Sequence, residues 1–384
     1  MRTTLMIGSG VNYYSGIPGL GEITEQIIHA KNVGRHPDSN YYLNGYLGYR
    51  NLAYLNGHIK TNQKLIERIC FYVQEFYKTI NHEHVTNYED FYYVLKQIED
   101  SYRLEYENPV TYNLIKDIQR DCGFDEVKLR SAVTESLKFI ECIVWQMLDK
   151  PIKVDAQFNI VKGLVTQLDL QNILSLNHDL VLESNLQRTG VDYFDGFGKK
   201  NLNVAEWLGF SDFKGDKIKI CKLHGAIDWF SVRIKKHKEY NKIVKLPRNF
   251  YPESVCDLDD KIEMTNQTTP ILLIGTFNKM LEYLNNIFEL LYEEFKRTLK
   301  VTDLLIVSGY GFGDKGINSR LSFWLNKRKA HKMIIIHPDK KALLKQARGH
   351  FHKYIMSYNC IHPQVCFIEK KFENVTVEEI KDTA

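Results

Sequence analysis

The sequence lacks several features that would narrow its chemistry at once. Its seven cysteines, Cys70, Cys122, Cys142, Cys221, Cys256, Cys360 and Cys366, include no Cys-x-x-Cys pair. That spacing indicates neither a zinc ribbon nor another metal site, and an odd count suits a reducing compartment better than a disulfide framework. No uninterrupted apolar run approaches the roughly 20 residues of a membrane-spanning helix. The first residues carry no basic head followed by an apolar signal segment, so the expected location is the cytoplasm. A net charge of +4 over 384 residues gives nucleic-acid binding no support, since proteins that live on phosphate contacts usually show a far denser basic face. Internal repeats and low-complexity linkers are also missing. What remains is an ordinary globular composition, 44% hydrophobic and 26% charged, long enough for one large α/β domain with an insertion or for two domains.

Apolar runs at Leu5 to Ile7, Asn172 to Leu176, Ile218 to Leu223, Ile271 to Ile274, Asp303 to Ser308 and Met333 to His337 predict strands. Several lack polar alternation, as strands buried on both faces do, which points to a parallel sheet. Helical patterns fall between them at Phe158 to Leu168, Lys279 to Leu299 and Ile317 to Lys329. The expected fold is α/β, a Rossmann-like doubly wound parallel sheet. Residues 45–150 read as a helical insertion: Leu65, Ile69, Tyr72/Val73 and Phe76 share one face, Phe91, Val94/Leu95 and Ile98 another, and Leu129, Val133, Leu137, Ile140, Val144 and Met147 a third. Pro151 marks the return to the sheet, so residues 1–44 and 151–384 form the expected main domain.

Directly behind the first strand lies GSGVNYYSGIPGL, residues 8–20. A glycine-rich turn between a strand and a helix lets backbone N–H groups approach a pyrophosphate. A tight βα turn with no ligand gives the same pattern, so other residues must decide.

GSGVNYYSGIP resembles the first motif of the sirtuin superfamily, with Gly8, Gly10, Gly16, Ile17 and Pro18 in register. Ser175-Leu176-Asn177-His178-Asp179 resembles the family's Thr-Gln-Asn-x-Asp motif, and Lys222-Leu223-His224-Gly225 its His-Gly motif. Asp303 to Gly309 is similar to the strand carrying Gly-Thr-Ser, and Ile334 to His337 to the strand that contacts the adenosine ribose. The departures are equally specific: Ala226-Ile227-Asp228-Trp229 follows the His-Gly where deacylating sirtuins place a zinc ribbon, Gly19-Leu20-Gly21 replaces an arginine, and Leu176 a glutamine. Together with Gly309 to Asn318, the pattern resembles the sirtuin-like NAD hydrolases of bacterial anti-phage systems.

The resemblance implies NAD as substrate, no metal, and cleavage of the nicotinamide N-glycosidic bond to nicotinamide and ADP-ribose. That reaction passes through a ribosyl cation and needs a pyrophosphate grip, an oriented ribose and a nucleophile at C1′. Gly8, Ser9, Gly10, Asn12, Gly16 and Pro18 supply the expected cradle, with Ser175, Gly309, Tyr310 and His337 as further nucleotide contacts. Asn177 is the expected ribose or water ligand, His224 the base and Asp179 the residue that orients the network. Each has a plainer reading: a strand-end histidine, a turn cap, a cap for the helix from Leu180. For Tyr310 and Phe312 the alternative is packing against the helix from Ile317.

An NAD-dependent deacylase and a non-catalytic nucleotide sensor stay open as alternatives. Arg233 to Arg248, with seven Lys/Arg against one Glu, reads as a solvated loop, with a docking surface for nucleic acid or an acidic partner as the alternative. The remaining histidines, including the His82/His84 pair and His331, show no partner spacing. The aromatics Phe71, Tyr72, Phe76, Tyr77, Phe91, Tyr92 and Tyr93 exceed what one buried face absorbs, which predicts a homo-oligomer built partly through the insertion. In the family such hydrolases are often accompanied by a HerA-type ATPase or a short Argonaute.

Overall fold

The computed structural model describes the chain except residues 49–55, 81–83, 105–107, 212, 214, 216, 249, 277–278, 285, 350 and 358–359, and except the side chains of 56, 237–240, 253, 353–354, 356–357 and 360. The chain enters as β1 (Thr3–Ile7), whose five residues are all buried. It passes through one 3-10 turn (Ser9–Asn12) into α1 (Leu20–His29) and then a short antiparallel hairpin, β2 (Val33–Arg35) with β3 (Tyr41–Leu43). Helices α2 (Asn56–Thr79), α3 (Tyr88–Arg103), α4 (Thr111–Cys122) and α5 (Glu126–Leu148) follow. α6 (Ile160–Leu168) returns to β4 (Leu170–Ser175), and α7 (Val181–Thr189) leads to β5 (Tyr193–Phe194), β6 (Phe197–Gly198), β7 (Glu206–Trp207) and β8 (Ile218–Lys222). β9 (Trp229–Ile234) and β10 (His237–Lys245) precede α8 (Val255–Leu258), β11 (Ile262–Met264), α9 (Lys279–Glu282) and α10 (Asn286–Val301). The chain closes with β12 (Leu304–Ser308), α11 (Lys315–Lys327), β13 (Lys332–Ile336), α12 (Lys340–Gln346), β14 (Met356–Ser357), β15 (Cys360–Ile361), β16 (Val365–Ile368) and α13 (Val377–Thr383).

Seven strands form one sheet in the order β16-β13-β12-β1-β4-β8-β5, every neighbouring pair parallel. Successive side chains leave opposite faces, so each central strand feeds two cores. Leu5 and Ile7 join Ile173 and Ile306 on the face covered by α6, α7 and α13, while Met6 joins Leu174, Leu305 and Val307 on the face covered by α10, α11 and α12. This is the Rossmann-like doubly wound sheet that the unalternated runs predict. Strand order reverses at β1, where β4 lies on one side and β12 on the other. Open α/β sheets bind ligands in the crevice beyond such a reversal.

Helix α5 buries one face along its length, from Leu129 through Val133, Leu137, Ile140 and Val144 to Met147, and its last seven residues, 142–148, are buried on every side. A helix end enclosed in this way belongs in an interior, and α5 packs against α1, α2, α3 and β3. Its apolar residues join the core beneath the sheet without a break.

Three expectations need correction. Ile271 to Ile274 is no strand: it holds one isolated bridge, Gly225 to Leu272, and its amides go to the start of β9 and the loop before it, Ile271 N to Trp229 O and Leu273 N to His224 O. An apolar run records burial, and burial alone does not build a ladder. The basic segment from Arg233 is no solvated loop, because β9 and β10 pair antiparallel within a second sheet ordered β11-β9-β10-β7-β6. Val232 and Val244 are fully buried there, and the neighbouring Arg233 and Lys245 fall on the opposite strand positions. The helix from Lys279 to Leu299 is two helices, α9 and α10, divided before Asn286, whose φ of 51° no helix continues through.

Candidate active site

The carboxyl ends of β12, β1, β4 and β8 lie side by side, and backbone bonds tie their exit loops together. Gly8 N donates to Ser308 O, Leu176 N to Ile7 O and Leu223 N to Ser175 O, at 3.0, 2.9 and 2.9 Å. Across this edge Asn12 Nδ2 donates to both oxygens of Asp179 at 2.8 Å. Gln157 Nε2 reaches Ser15 Oγ at 2.7 Å and Asn12 Oδ1 at 3.3 Å. Asp179 also accepts from Val181 N at 3.1 Å, starting α7 as a turn cap would. Its carboxyl is pushed above the ordinary value by burial, which the positive charge of Lys222 only partly opposes. Lys222 is itself buried and donates to Asp179 O at 2.6 Å and Glu183 Oε1 at 2.8 Å, pinning the backbone of this loop.

Asn177 stands in the same loop, with its N–H donating to Ser175 Oγ at 3.2 Å. Its side chain is 4% exposed, yet neither Oδ1 nor Nδ2 has a hydrogen-bond partner among the described residues. His178 is buried with Nδ1 equally unpartnered, and its ring centre lies 6.1 Å from that of His224. Buried polar groups are nearly always satisfied, and leaving one bare costs about 1–3 kcal/mol. Three orphaned atoms on two adjacent residues mark a place where something else completes the bonding.

His224 is buried at the exit of β8. Its Nε2 lies 2.8 Å from Tyr283 Oη and 3.4 Å from Asp314 Oδ2. Tyr283 donates to that same Oδ2 at 2.9 Å, while Asp314 Oδ1 caps α11 by accepting from Ile317 N at 3.1 Å. Lys279 on α9, paired with Glu89 of α3 at 3.1 Å, completes the surroundings. Burial lowers the His224 pKa and the Lys279 charge lowers it further, against the pull of Asp314. His178 is lowered well below the ordinary imidazole range by burial and by the neighbouring His224. Both rings are therefore neutral at physiological pH, as a base must be.

The glycines have roles different from a simple cradle. A Cβ at Gly8 would lie 2.5 Å from Gly309 O, and one at Gly309 would lie 2.4 Å from Val11 N. The turns after β1 and β12 thus touch backbone to backbone. Gly10 N donates to Gly309 O at 3.0 Å and Val11 N to Gly8 O at 3.2 Å, so these amides are already engaged. Neither Gly8 nor Gly10 has a positive φ; Gly16 and Gly309 do, at 77° and 66°. Gly16 is further confined by Lys153, whose Cγ and Cδ would lie 2.8 Å from a Cβ added there. Ser9 and Gly10 are exposed, and Pro18 is buried.

Of the other nucleotide candidates, Tyr310 is enclosed in the core. Its hydroxyl lies 2.8 Å from Asn318 Oδ1 and 3.2 Å from Asp314 N, and Phe312 is fully buried against Phe351. Both follow the packing reading and leave the cleft-lining one unsupported. Ser175 braces Asn177. His337 is half-buried at the end of β13, two strands from β1, accepting from Asp339 N at 3.1 Å.

Two histidines read as unpartnered have partners. His84 Nε2 meets Asp90 Oδ2 at 2.7 Å and its Nδ1 meets Arg348 at 2.9 Å, and His331 stacks on Trp324 with ring centres 4.6 Å apart. His82 lies outside the described residues. Among the aromatics of α2 and α3, Phe91 and Tyr92 are buried while Phe71 and Phe76 are exposed. Tyr72, Phe76 and Tyr93 line a cavity of about 510 Å³ that faces Gly313, Lys315 and Arg348.

Sequence reasoning missed Tyr283, Asp314, Lys279 and Gln157. Asp314 sits inside the Gly309 to Asn318 motif, which was a usable signal, but Tyr283 arrives from the turn after α9, 59 residues beyond His224, and no spacing predicts it. Among the described residues no group of three or more His, Cys, Asp or Glu could hold a metal ion, and no helix is long and apolar enough to cross a membrane.

A parallel doubly wound sheet with an unsatisfied amide and two neutral imidazoles at its carboxyl edge defines an α/β protein that takes its ligand at that edge. Residues 171–360 match the model of the SIR2-like domain family, so this part of the chain is a SIR2-like domain, which supports NAD-related activity of the sirtuin type. No curated protein matches the sequence. Similar solved structures include a Sir2 homologue in complex with NAD, at 12% identity and a TM-score of 0.37 over 100% of this chain and 89% of that one. A Sir2 bound to an acetylated peptide is 10% identical with a TM-score of 0.38, covering 99% and 92% of the two chains. Scores of this size decide nothing, and the likeness rests on the domain match over residues 171–360.

Proposed function

We propose that this protein hydrolyses NAD at the nicotinamide N-glycosidic bond, releasing nicotinamide and ADP-ribose. The observation that carries the reading is Asn177, a buried amide whose donor and acceptor both lack partners among the described residues, at the carboxyl edge where open α/β sheets bind ligands. A ribose hydroxyl and an attacking water would satisfy it. Neutral His224 takes a proton from that water as its oxygen bonds to C1′, and the breaking bond leaves its electron pair on the nicotinamide nitrogen. Asp179 fixes Asn12 and the start of α7 around the reacting centre and brings negative charge toward the developing cation.

Peptide-independent chemistry is favoured over deacylation because the segment after His224-Gly225 runs straight into β9 and β10, with no pair of cysteines to build a zinc ribbon there. The test is NAD turnover followed by nicotinamide release, with and without an acylated peptide. Release without peptide is the expected result; strict dependence on peptide would establish the deacylase, and tight binding without turnover in any assembly state the sensor.

An uncontrolled NAD hydrolase depletes its own cell, so we further infer a regulated effector of anti-phage defence, silent until assembled with its own copies or with a HerA-type ATPase or short Argonaute. The exposed Phe71 and Phe76 on α2 support a contact through the helical region. Light scattering over a concentration series should show turnover rising with oligomer. A monomer active at full rate at every concentration would end the idea of control by assembly.

A further inference from the structure

We propose that Asp314 is a positioning residue that, through Tyr283, holds His224 with its proton on Nε2 and so leaves Nδ1 as the nitrogen that accepts the proton in the reaction. The roles rest on the NAD-cleavage reading of this site; the geometry stands without it. Asp314 has two oxygens with separate duties. Oδ1 is committed to Ile317 N at the start of α11, and Oδ2 accepts from Tyr283 at 2.9 Å. A carboxylate only accepts, so the tyrosine must spend its single proton on Asp314. Its oxygen, 2.8 Å from His224 Nε2, is then left as an acceptor. The bond closes only if Nε2 carries the hydrogen. Asp314 Oδ2, 3.4 Å from Nε2, favours the same arrangement.

The direction of this chain is imposed by helix α11. Because the cap fixes Oδ1, no rotation of Asp314 can offer a donor to Tyr283. The other charged or titratable groups around His224 are His178 beyond β4, Lys279 on α9 and Glu89 on α3. Lys279 is engaged by Glu89 at 3.1 Å, and none of the three stands closer to Nε2 as an acceptor than Tyr283.

The decisive substitution is Asp314→Asn. Asparagine caps helices as well as aspartate does. With its carbonyl oxygen in the cap, its NH₂ faces Tyr283 and donates to it. Tyr283 must then donate to His224 Nε2, and the imidazole proton moves to Nδ1. A base locked in the wrong tautomer by an Asp→Asn change loses about 10⁴-fold in a serine protease. A fall of roughly 10²- to 10⁴-fold in NAD turnover is expected here, with NAD affinity unchanged.

The tautomer itself is read independently of activity by ¹⁵N NMR of histidine-labelled full-length protein. His224→Asn assigns the resonance. The wild type should show the Nε2–H form, Asp314→Asn the Nδ1–H form, and Tyr283→Phe the Nε2–H form with a smaller loss of rate, since Nε2 can close directly on Asp314. Should Asp314→Asn fail to fold, Asp314→Ser keeps a capping oxygen but cannot reach Tyr283, and both tautomers should then appear. The proposal is overturned if His224 keeps the Nε2–H form in the folded Asn or Ser variant, or if the wild type carries its proton on Nδ1. Absence of NAD cleavage by the wild type would sink the functional reading and leave the tautomer measurement to judge the relay.

Discussion

Two neighbouring loops at the carboxyl edge of the sheet both bury their polar side chains and are opposite in character. In the Gly309 to Asp314 turn every named polar atom is used: Tyr310 binds Asn318 and Asp314, and Asn318 Nδ2 binds Phe312 O at 2.7 Å. In the Asn177 to Asp179 turn the outer residue is saturated by Asn12 and Val181 while Asn177 and His178 keep bare atoms. The first turn is finished as folded. On the proposed function a ligand finishes the second, and the stability forgone there is what a binding site requires.

The sharpest way to break this comparison is His224→Ala, which removes the proposed base together with its buried hydrogen bond to Tyr283. Turnover should fall by about 10²- to 10⁴-fold while the variant still folds; near-normal turnover by a folded variant would remove His224 from the mechanism. Asn177→Leu comes next. Nicotinamide release should fall at least about tenfold, yet the melting temperature should hold or rise, because a bare buried amide has been replaced by an apolar group of similar size. A clear drop in melting temperature would mean Asn177 is already satisfied in the free protein. Gly309→Ala tests the other turn. At φ 66° with Val11 N 2.4 Å from the added carbon, about 1–3 kcal/mol of stability should be lost in a denaturant titration. An unchanged midpoint would deny the backbone contact. The same contact makes Gly10→Val a probe of folding as much as of NAD affinity, since its Cβ meets Gly309 Cα at 3.0 Å.

The smallest effect is on the pH dependence of stability. Burial, with the neighbouring charges of Lys279 and of His224 itself, holds His178 and His224 below the ordinary imidazole value. The folded state refuses protons that the unfolded chain takes up near about pH 6.5, so this stabilisation is complete above that pH and is lost as pH falls toward the folded values. Calorimetry between about pH 7.5 and 5 should show a declining melting temperature whose slope flattens in His178→Gln. An identical slope in both proteins would place the responsible groups elsewhere.

The central strands were readable because residues buried on both faces leave an unbroken apolar run, as Leu5–Ile7 and Leu304–Val307 do. The same rule misread Ile271 to Ile274, which is just as apolar but spends its hydrogen bonds on His224 and Trp229 without forming a ladder. It also passed over β9 and β10, where counting lysines concealed the alternation of Val232 and Val244 with charge. Asn177, Asp179 and His224 stood out because each ends a readable strand. Tyr283 did not, since a tyrosine in an amphipathic helical pattern looks like core until the chain brings it to a histidine. Gly8 and Gly10 were legible as glycines, but what crowds them, Gly309, lies far along the chain, and no local pattern announces a contact of that range.

β1 is made well before either neighbour it pairs with. Its partners, β4 and β12, begin at residues 170 and 304, so a ribosome adding roughly 5–20 residues per second leaves both edges of Thr3–Ile7 unmatched for about ten seconds or longer. During that interval the chain carries a bare apolar strand that a chaperone or the growing helices must shield. The delay also has a protective side. Asp314 and the turn at Gly309 are among the later parts of the sheet to leave the ribosome, so a half-made chain holds the Asn177 loop and His224 without the groups that complete them. A chain with the proposed power to drain NAD would thereby stay inert until synthesis has passed its last active-site residue.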